Sequence, residues 1–181
     1  GEVAVTLAES MGLDAEFLSA MRTAGLLHDI GKVGVSEAIL NKPGPLTTEE
    51  FQNVMVHPDL GFTMCRRLNS VSAVLPFIRF HHVRFDGKGY PLGLKGDAIP
   101  LGARVLAVAD AFDALTSHRA YRPAMTVPEA LAVLIRETSE GKWDPAVMLA
   151  MQKIEPARLE RILKPHLESH TADPLPPSSS H

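Results

Sequence analysis

The chemistry of this 181-residue chain centres on six imidazole and carboxylate side chains placed beside apolar helical stretches. They are His28, Asp29, His57, His81, His82 and Asp110. Imidazole nitrogens and carboxylate oxygens suit Fe, Mn, Zn and similar first-row cations, and six converging groups would hold two metal ions. The single cysteine, Cys65, excludes an internal disulfide and a zinc site made of thiolates. The residue types therefore predict a metal centre with nitrogen and oxygen ligands.

The six residues differ in how strongly each one, taken alone, indicates a metal site. Asp110 is the most informative, because burying a carboxylate within an apolar helix is costly unless it is paired, hydrogen-bonded or metal-bound. Its alternative role is a buried salt bridge with Arg104. A lone His57 at a helix end is more often a cap or a surface group. Adjacent helical residues such as His81 and His82 point about 100° apart, so both serve one site only at a helix end or beside two metals.

Helical periodicity dominates the chain and predicts an all-α fold, since no segment alternates apolar and polar residues over several cycles. Asp14 is a predicted N-cap, the pairs Thr47 with Glu50 and Thr126 with Glu129 are predicted capping boxes, and Asp144 precedes a first-turn proline. The predicted helices cover residues 3–11, 14–28, 47–57, 58–68, 71–82 and 101–116, then begin at 126, 144 and 156.

A glycine-rich loop over residues 83–99 interrupts the helices. Long loops on a helical scaffold are often functional. Gly87 and Gly89 permit close approach of a ligand, and Tyr90 offers an aromatic face and a hydroxyl. The alternative is that Tyr90 packs inward. Asp86 either stabilises the loop or pairs with Lys32 or an arginine.

Composition indicates one ordinary globular domain, which we place at residues 1–170, followed by a disordered tail at 171–181. The apolar fraction is 45% and the net charge is −3, so there is no global attraction to a nucleic-acid polymer or an anionic membrane. Any bound anion must be captured by local cations. No membrane segment and no signal peptide are evident, and we expect a cytoplasmic protein.

Ordered sequence blocks resemble the HD-GYP subgroup of the HD metal-dependent phosphohydrolases. The resemblance covers about residues 1–155. The blocks are His28-Asp29-Ile30-Gly31-Lys32, Ile39-Leu40-Asn41-Lys42-Pro43-Gly44, His57-Pro58, His81-His82-Val83-Arg84-Phe85-Asp86-Gly87-Lys88-Gly89-Tyr90-Pro91, Ile99-Pro100-Leu101, Val108-Ala109-Asp110-Ala111-Phe112-Asp113-Ala114-Leu115-Thr116 and Arg119-Ala120-Tyr121-Arg122.

The resemblance implies an HD-domain-like helical bundle with a long GYP-motif loop and two or three divalent metal ions, iron, manganese or similar. Asp29 would be the catalytic carboxylate bridging two metals, and His28, His57, His81, His82 and Asp110 the other ligands. The phosphate-contacting cations of the subgroup are similar to Lys32, Arg119 and Arg122. The resemblance also assigns Lys32 to catalysis. Gly89 and Tyr90 would contact the substrate, cyclic di-GMP or a related cyclic dinucleotide. The products would be a linear dinucleotide or GMP.

One difference from the subgroup concerns the first helix. The resemblance places a further His ligand just before Gly1, and the helix is amphipathic from its first residues. We therefore expect a fragment of a longer protein with an upstream sensory or receiver domain, and reduced metal occupancy in this chain. Assembly as a homodimer stays open.

Two other functions remain. The first alternative is a non-catalytic module that binds cyclic dinucleotides or another partner. The second is a phosphohydrolase that acts on another nucleotide. The retained ligand set disfavours the first. The Gly89-Tyr90-Pro91 block disfavours the general nucleotidases but does not choose between cyclic dinucleotides.

Overall fold

A computed structural model describes residues 1–91, 93–118 and 122–168, with side chains described through residue 164. The predicted Arg119 site and the predicted tail at 171–181 lie outside these residues. The described α-helices are α1 (Glu2–Ser10), α2 (Ala15–Leu27), α3 (Glu37–Leu40), α4 (Thr48–Met55), α5 (His57–Cys65), α6 (Leu75–Phe80), α7 (Leu101–Thr116), α8 (Val127–Ser139), α9 (Pro145–Gln152) and α10 (Pro156–Glu168). Short 3-10 helices cover Ile30–Gly34, Asn69–Val74 and Gly96–Ala98. The all-α prediction is confirmed.

The helix starts follow the predicted caps. The Asp14 carboxylate accepts a hydrogen bond from the Phe17 amide at 2.8 Å. Thr47 with Glu50 and Thr126 with Glu129 each form both bonds of a capping box. The Asp144 carboxylate accepts from the Ala146 amide at 2.8 Å and begins α9. These side chains satisfy amide groups that the first helical turn leaves without a backbone partner.

One predicted helix is wrong. Residues 71–82 do not form a continuous α-helix; the 3-10 helix Asn69–Val74 precedes the short α6, which ends before His81. Pro76 lies in the first turn of α6 and has no amide hydrogen, so a helix cannot run through it with all its backbone bonds. His57 also differs from its predicted place, because it is the first residue of α5 and does not end the preceding helix.

The core surrounds α7, which packs against α1, α2, α6, α8 and α9. Val105, Val108 and Phe112 of this helix are fully buried. Because α7 is enclosed on several sides, a polar residue in its middle lies close to the interior of the fold. Within the described residues, every helix is too short or too polar to cross a lipid bilayer.

The 3-10 helix Ile30–Gly34 packs closely on the start of α5. Gly31 makes this approach possible, because an added Cβ would lie 1.9 Å from the His57 carbonyl oxygen and 2.6 Å from the Gly61 nitrogen. Both atoms belong to backbone and cannot rotate away. A side chain on residue 31 would therefore separate the segments that contain Asp29 and His57.

Candidate metal centre

The six predicted ligands come from four separate parts of the chain. His28 and Asp29 lie between α2 and the first 3-10 helix, His57 begins α5, His81 and His82 follow α6, and Asp110 lies within α7. Five of the six are thus at or beyond a helix terminus, where the backbone turns and neighbouring side chains can face a common point. Only the fold brings these parts together.

Four of the ligands form a compact cluster. One ligand atom each from Asp29, His57, His81 and His82 lies within 4.8 Å of all the others. Asp29 Oδ1 is 3.3 Å from His57 Nε2 and 4.0 Å from His81 Nε2. His57 and His81 are almost completely buried. This cluster has the size and the donor atoms of a metal site.

His28 lies beside the other oxygen of Asp29 and between Asp29 and Asp110. His28 Nε2 lies 3.5 Å from Asp29 Oδ2 and 3.8 Å from Asp110 Oδ1. Asp29 therefore presents Oδ1 to His57 and His81, and Oδ2 to His28. A carboxylate with ligands at both oxygens can be shared by two cations. The alternative role for Asp110 is wrong, because Arg104 pairs with Asp144 at 2.6 Å and with Asp97 at 2.9 Å.

Backbone carbonyl groups orient three of the imidazole rings. The Nδ1 atoms of His28, His57 and His81 lie 3.0, 2.8 and 2.7 Å from the carbonyl oxygens three residues earlier. A carbonyl oxygen only accepts hydrogen bonds, so each Nδ1 donates a proton. In the neutral ring, Nε2 is then unprotonated and directed into the cluster. Metal-binding histidines typically have this outer hydrogen bond, which sets the tautomer.

Two features of the cluster fit a bound cation. Asp29 Oδ1 is buried and has no hydrogen-bond partner within the described part of the chain. The Nε2 atoms of His57 and His81 lie only 3.4 Å apart, so in the neutral rings two lone pairs face each other. A buried acceptor without a partner is costly, and a cation would satisfy the oxygen and both nitrogens. The donor set suits first-row divalent ions.

The protonation states also favour a cation. Burial lowers the pKa of His82 to about 4, and the neighbouring His57 adds to the shift against the opposing charges of Asp110 and Asp29. Burial, together with His82 and His28, likewise lowers the pKa of His81. Both imidazoles are therefore neutral near pH 7 and can bind a metal without losing a proton.

The two carboxylates remain ionised. Burial acts to raise the pKa of Asp29, but His57, His28 and Lys32 outweigh it and hold that pKa well below its usual range. Burial acts on Asp110 in the same way and is outweighed by His28 and His82, so its pKa is also lowered. Two half-buried anionic groups beside the neutral imidazoles of His81 and His82 attract a cation.

Lys32 lies at the edge of the cluster. Its ammonium group donates to Asp29 Oδ2 at 2.6 Å, and the side chain is partly exposed. Lys32 thus places a positive charge beside the predicted bridging carboxylate. Its predicted contact with phosphate stays a prediction.

The loop residues Gly89 and Tyr90 contact the backbone and the ring of His82. A Cβ on Gly89 would lie 2.1 Å from the His82 carbonyl oxygen, and the Tyr90 amide donates to that oxygen at 3.1 Å. The Tyr90 and His82 rings are 4.8 Å apart at an angle of 32°. Burial, with the charges of Asp110 and Asp29, raises the pKa of Tyr90, so its phenol stays neutral. The loop therefore positions a predicted ligand, a role the sequence analysis did not foresee.

Other charged side chains hold the loop and the end of α7. Asp86 stabilises the loop, since its oxygens accept from the Arg84 guanidinium at 3.1 and 2.6 Å and from the Lys88 amide at 3.0 Å. The Arg122 guanidinium donates to the carbonyl oxygens of Ala114 and Leu115, at 2.5 and 3.4 Å. The predicted phosphate contact of Arg122 stays a prediction, as does that of Arg119.

A pocket of about 380 Å³ opens beside the cluster. Its lining includes His81, His82, Gly89, Tyr90 and Asp110, together with Phe51, Met55, Arg84, Lys88, Lys142 and Trp143. The sequence analysis missed Lys142 and Trp143. They reach the site because the Phe85 amide donates to the Lys142 carbonyl at 2.9 Å, a contact between distant segments without a local pattern.

Comparison with known proteins shows which family the chain resembles. A family model described as "HD domain" matches residues 1–147. A cyclic di-GMP phosphodiesterase of Thermotoga maritima is 41% identical over 152 residues, covering 82% of this chain and 41% of that protein. The cyclic di-GMP phosphodiesterase response regulator RpfG of Xanthomonas campestris pv. campestris is 41% identical, covering 88% and 42%. A 3'3'-cGAMP-specific phosphodiesterase of Vibrio cholerae is 40% identical, covering 81% and 34%. The chain thus spans less than half the length of these relatives.

Solved structures share the fold. An HDG"Y"P protein from Bdellovibrio bacteriovorus matches with a TM-score of 0.64 and 22% identity, covering 90% of this chain and 51% of that one. A cyclic GMP-AMP specific phosphodiesterase of Vibrio cholerae matches with a TM-score of 0.63 and 18% identity, covering 94% and 44%. At these identities the matches concern the helical architecture.

Proposed function

Because the chain belongs to the HD domain family, we propose that it is a metal-dependent phosphodiesterase that hydrolyses cyclic di-GMP to a linear dinucleotide or GMP. The resemblance inferred from the sequence motifs is confirmed at the level of the family. The names of the Thermotoga and Xanthomonas relatives support the substrate. Hydrolysis of cyclic di-GMP by this chain is what we propose.

One observation supports this function above all others. Asp29, His57, His81 and His82 converge from three parts of the chain, with one ligand atom of each within 4.8 Å of the others and with Asp29 Oδ1 lacking a hydrogen-bond partner among the described residues. A purely structural cluster would pair these groups with hydrogen-bond donors, because buried polar atoms are otherwise costly. The arrangement is that of a site for cations.

The roles of the side chains follow from their contacts. Divalent ions held by the six ligands would activate water as a nucleophile and stabilise negative charge on the phosphoryl oxygens. Asp29 would contribute one oxygen to each side of the centre, held in place by Lys32 at 2.6 Å. The carbonyl groups behind His28, His57 and His81 keep their rings from rotating. Lys32 also places a positive charge where a phosphate would approach.

A second substrate has a specific observation in its favour. Relatives named as 3'3'-cGAMP-specific phosphodiesterases are 40% and 41% identical to this chain, as similar as those named for cyclic di-GMP. The two substrates differ only in one base, so the metal chemistry is common to both. A non-catalytic binding role is disfavoured because four of the predicted ligands form one cluster and His28 and Asp110 lie beside it.

The proposal is tested by hydrolysis of cyclic di-GMP and 3'3'-cGAMP with manganese or ferrous iron, with products separated by chromatography. Asp29→Asn should lose metal and reduce turnover by at least about a hundredfold while keeping its helical circular dichroism. Asp59→Asn, an exposed carboxylate on α5, is the matched control and should keep both metal and turnover. Normal metal content and turnover in Asp29→Asn would contradict the proposed bridging role.

The finer expectations remain proposals. They are two or three metal ions, their identity as iron or manganese, a cytoplasmic location, an upstream sensory or receiver domain and a possible homodimer. The upstream domain is supported by the greater length of the relatives and by the name of the Xanthomonas protein as a response regulator.

A further inference from the structure

Among the described residues, two pockets that are lined by members of the metal-ligand set differ in size and charge. The smaller, of about 140 Å³, is lined by Asp29, Asp110 and Asp113 among others. The larger, of about 380 Å³, is lined by His81, His82 and Asp110 on the cluster side. Small-molecule sites usually have about 300 Å³ or more. Three carboxylates around a small space also repel a phosphate, so of these two only the larger suits a nucleotide.

The wall of the larger pocket includes an exposed aromatic side chain. Phe51 on α4 is 47% exposed, although its spacing in the sequence places it on the apolar face of that helix. Its ring meets the Tyr90 ring edge to face at 6.0 Å. Met55, one turn later, also lines the pocket. An exposed aromatic face beside a metal centre is suited to stacking against a nucleobase.

Three cations line the same pocket. The Arg84 guanidinium is paired with Asp86 at 2.6 Å, and the Lys142 ammonium with Glu137 at 2.7 Å. Lys88 is different, because its side chain is 74% exposed and its ammonium group lies 3.8 Å from Asp86. Lys88 is therefore the cation of this wall that can most easily reorient towards a phosphate.

We propose that the pocket between Phe51 and Lys88 receives the second nucleotide of the cyclic dinucleotide while the scissile phosphate lies at the metal cluster. The base stacks on Phe51, and Lys88 pairs with the phosphate that is not cleaved. This proposal rests on the proposed function and adds a determinant of substrate size. A two-nucleotide substrate uses both the cluster and the pocket, whereas a small phosphodiester uses the cluster alone.

The test compares Phe51→Ala, Phe51→Trp and Lys88→Ala with the wild-type chain, using cyclic di-GMP and bis(p-nitrophenyl) phosphate. Phe51→Ala should raise the KM for cyclic di-GMP about tenfold, because a stacking partner of the base is lost. Phe51→Trp should keep the wild-type KM, since it retains an aromatic face. Lys88→Ala should raise the same KM about fivefold and weaken its dependence on salt. Metal content and turnover of the small substrate should stay within about twofold of wild type in all three variants.

The matched controls are Leu149→Ala and Lys153→Ala, which remove an exposed apolar side chain and an exposed cation on or just after α9. Both should leave the KM for cyclic di-GMP unchanged. An unchanged KM in Phe51→Ala and Lys88→Ala, with normal wild-type turnover, would overturn the pocket proposal and leave the phosphodiesterase activity standing. Equal losses on both substrates would also overturn it, because Phe51 would then act by supporting Tyr90.

Inactivity of the fully metal-loaded wild-type chain on cyclic di-GMP and 3'3'-cGAMP would refute the proposed function. The pocket is then decided by calorimetry with cyclic di-GMP. Weaker binding to Phe51→Ala than to Leu149→Ala supports the pocket as a binding site, and equal binding overturns it.

Discussion

Substitution of Gly31 by alanine tests how closely the fold must pack to assemble the metal centre. The added Cβ would lie 1.9 Å from the His57 carbonyl oxygen, whereas ordinary contacts begin at 3.4 Å. The 3-10 helix Ile30–Gly34 and α5 would therefore have to separate by about 1.5 Å. Overpacking a buried position costs about 1–3 kcal/mol, and a clash with fixed backbone belongs at the upper end, so we expect a loss of about 3 kcal/mol.

The same displacement moves Asp29 relative to His57, whose ligand atoms are 3.3 Å apart. We expect the affinity for manganese to fall by about tenfold or more, as when the support of a metal ligand is disturbed. Urea unfolding of the metal-free protein measures the change in the free energy of unfolding. Calorimetric titration with manganese measures the change in metal affinity. The two measurements separate loss of stability from loss of the site.

Gly34→Ala is the matched control on the same 3-10 helix. Its added Cβ would meet Cδ1 of Leu60 at 2.8 Å, and that atom ends a flexible side chain at the surface. Rotation of Leu60 relieves the contact, so we expect a change of about 0.5 kcal/mol or less. If Gly31→Ala matched Gly34→Ala in both stability and manganese affinity, the argument from close packing would be refuted.

Three further predictions concern single side chains. Tyr90→Ala should lower the affinity for manganese about tenfold, because the Tyr90 ring packs on His82. Tyr90→Phe keeps the ring and should keep the affinity. Equal losses of affinity in both variants, measured by calorimetry, would contradict this reasoning. Asp144→Ala should cost about 3 kcal/mol in urea unfolding, because it leaves the largely buried Arg104 guanidinium with only the exposed Asp97 as a partner and removes the α9 cap. Asp97→Ala, which removes that exposed partner, should cost little. Thr126→Ala should cost about 1 kcal/mol in the same assay through loss of the α8 capping box, and wild-type stability would show that the cap is dispensable.

Local structure was predictable wherever it depends on neighbouring residues. Asp14, Thr47, Thr126 and Asp144 cap the helices that follow them, as their types and positions indicated. The break before α6 was missed although Pro76 lies in the predicted helix. The apolar spacing of residues 71–82 indicates one helix. Proline has no amide hydrogen to donate, however, so the pattern of backbone hydrogen bonds has to begin again at Pro76.

The purpose of the glycine loop was less predictable. Sequence reasoning assigned Gly89 and Tyr90 to the substrate, because glycine permits close approach and tyrosine offers a face. In the structure the partner that approaches Gly89 is the backbone of His82, and the Tyr90 ring packs on the same residue. A glycine shows that something comes close, but its position in the sequence does not show what.

The sequence by itself determined the donor atoms, most of the helices and the family, because these depend on residue type, local spacing and ordered motifs. Tertiary structure alone decided which donors meet. It placed Asp29 within 3.3 Å of His57, paired Arg104 with Asp144 and left Phe51 exposed beside the cluster. The physical reason is that such distances arise from the packing of segments far apart in the chain. A rule based on neighbouring residues contains no information about that packing.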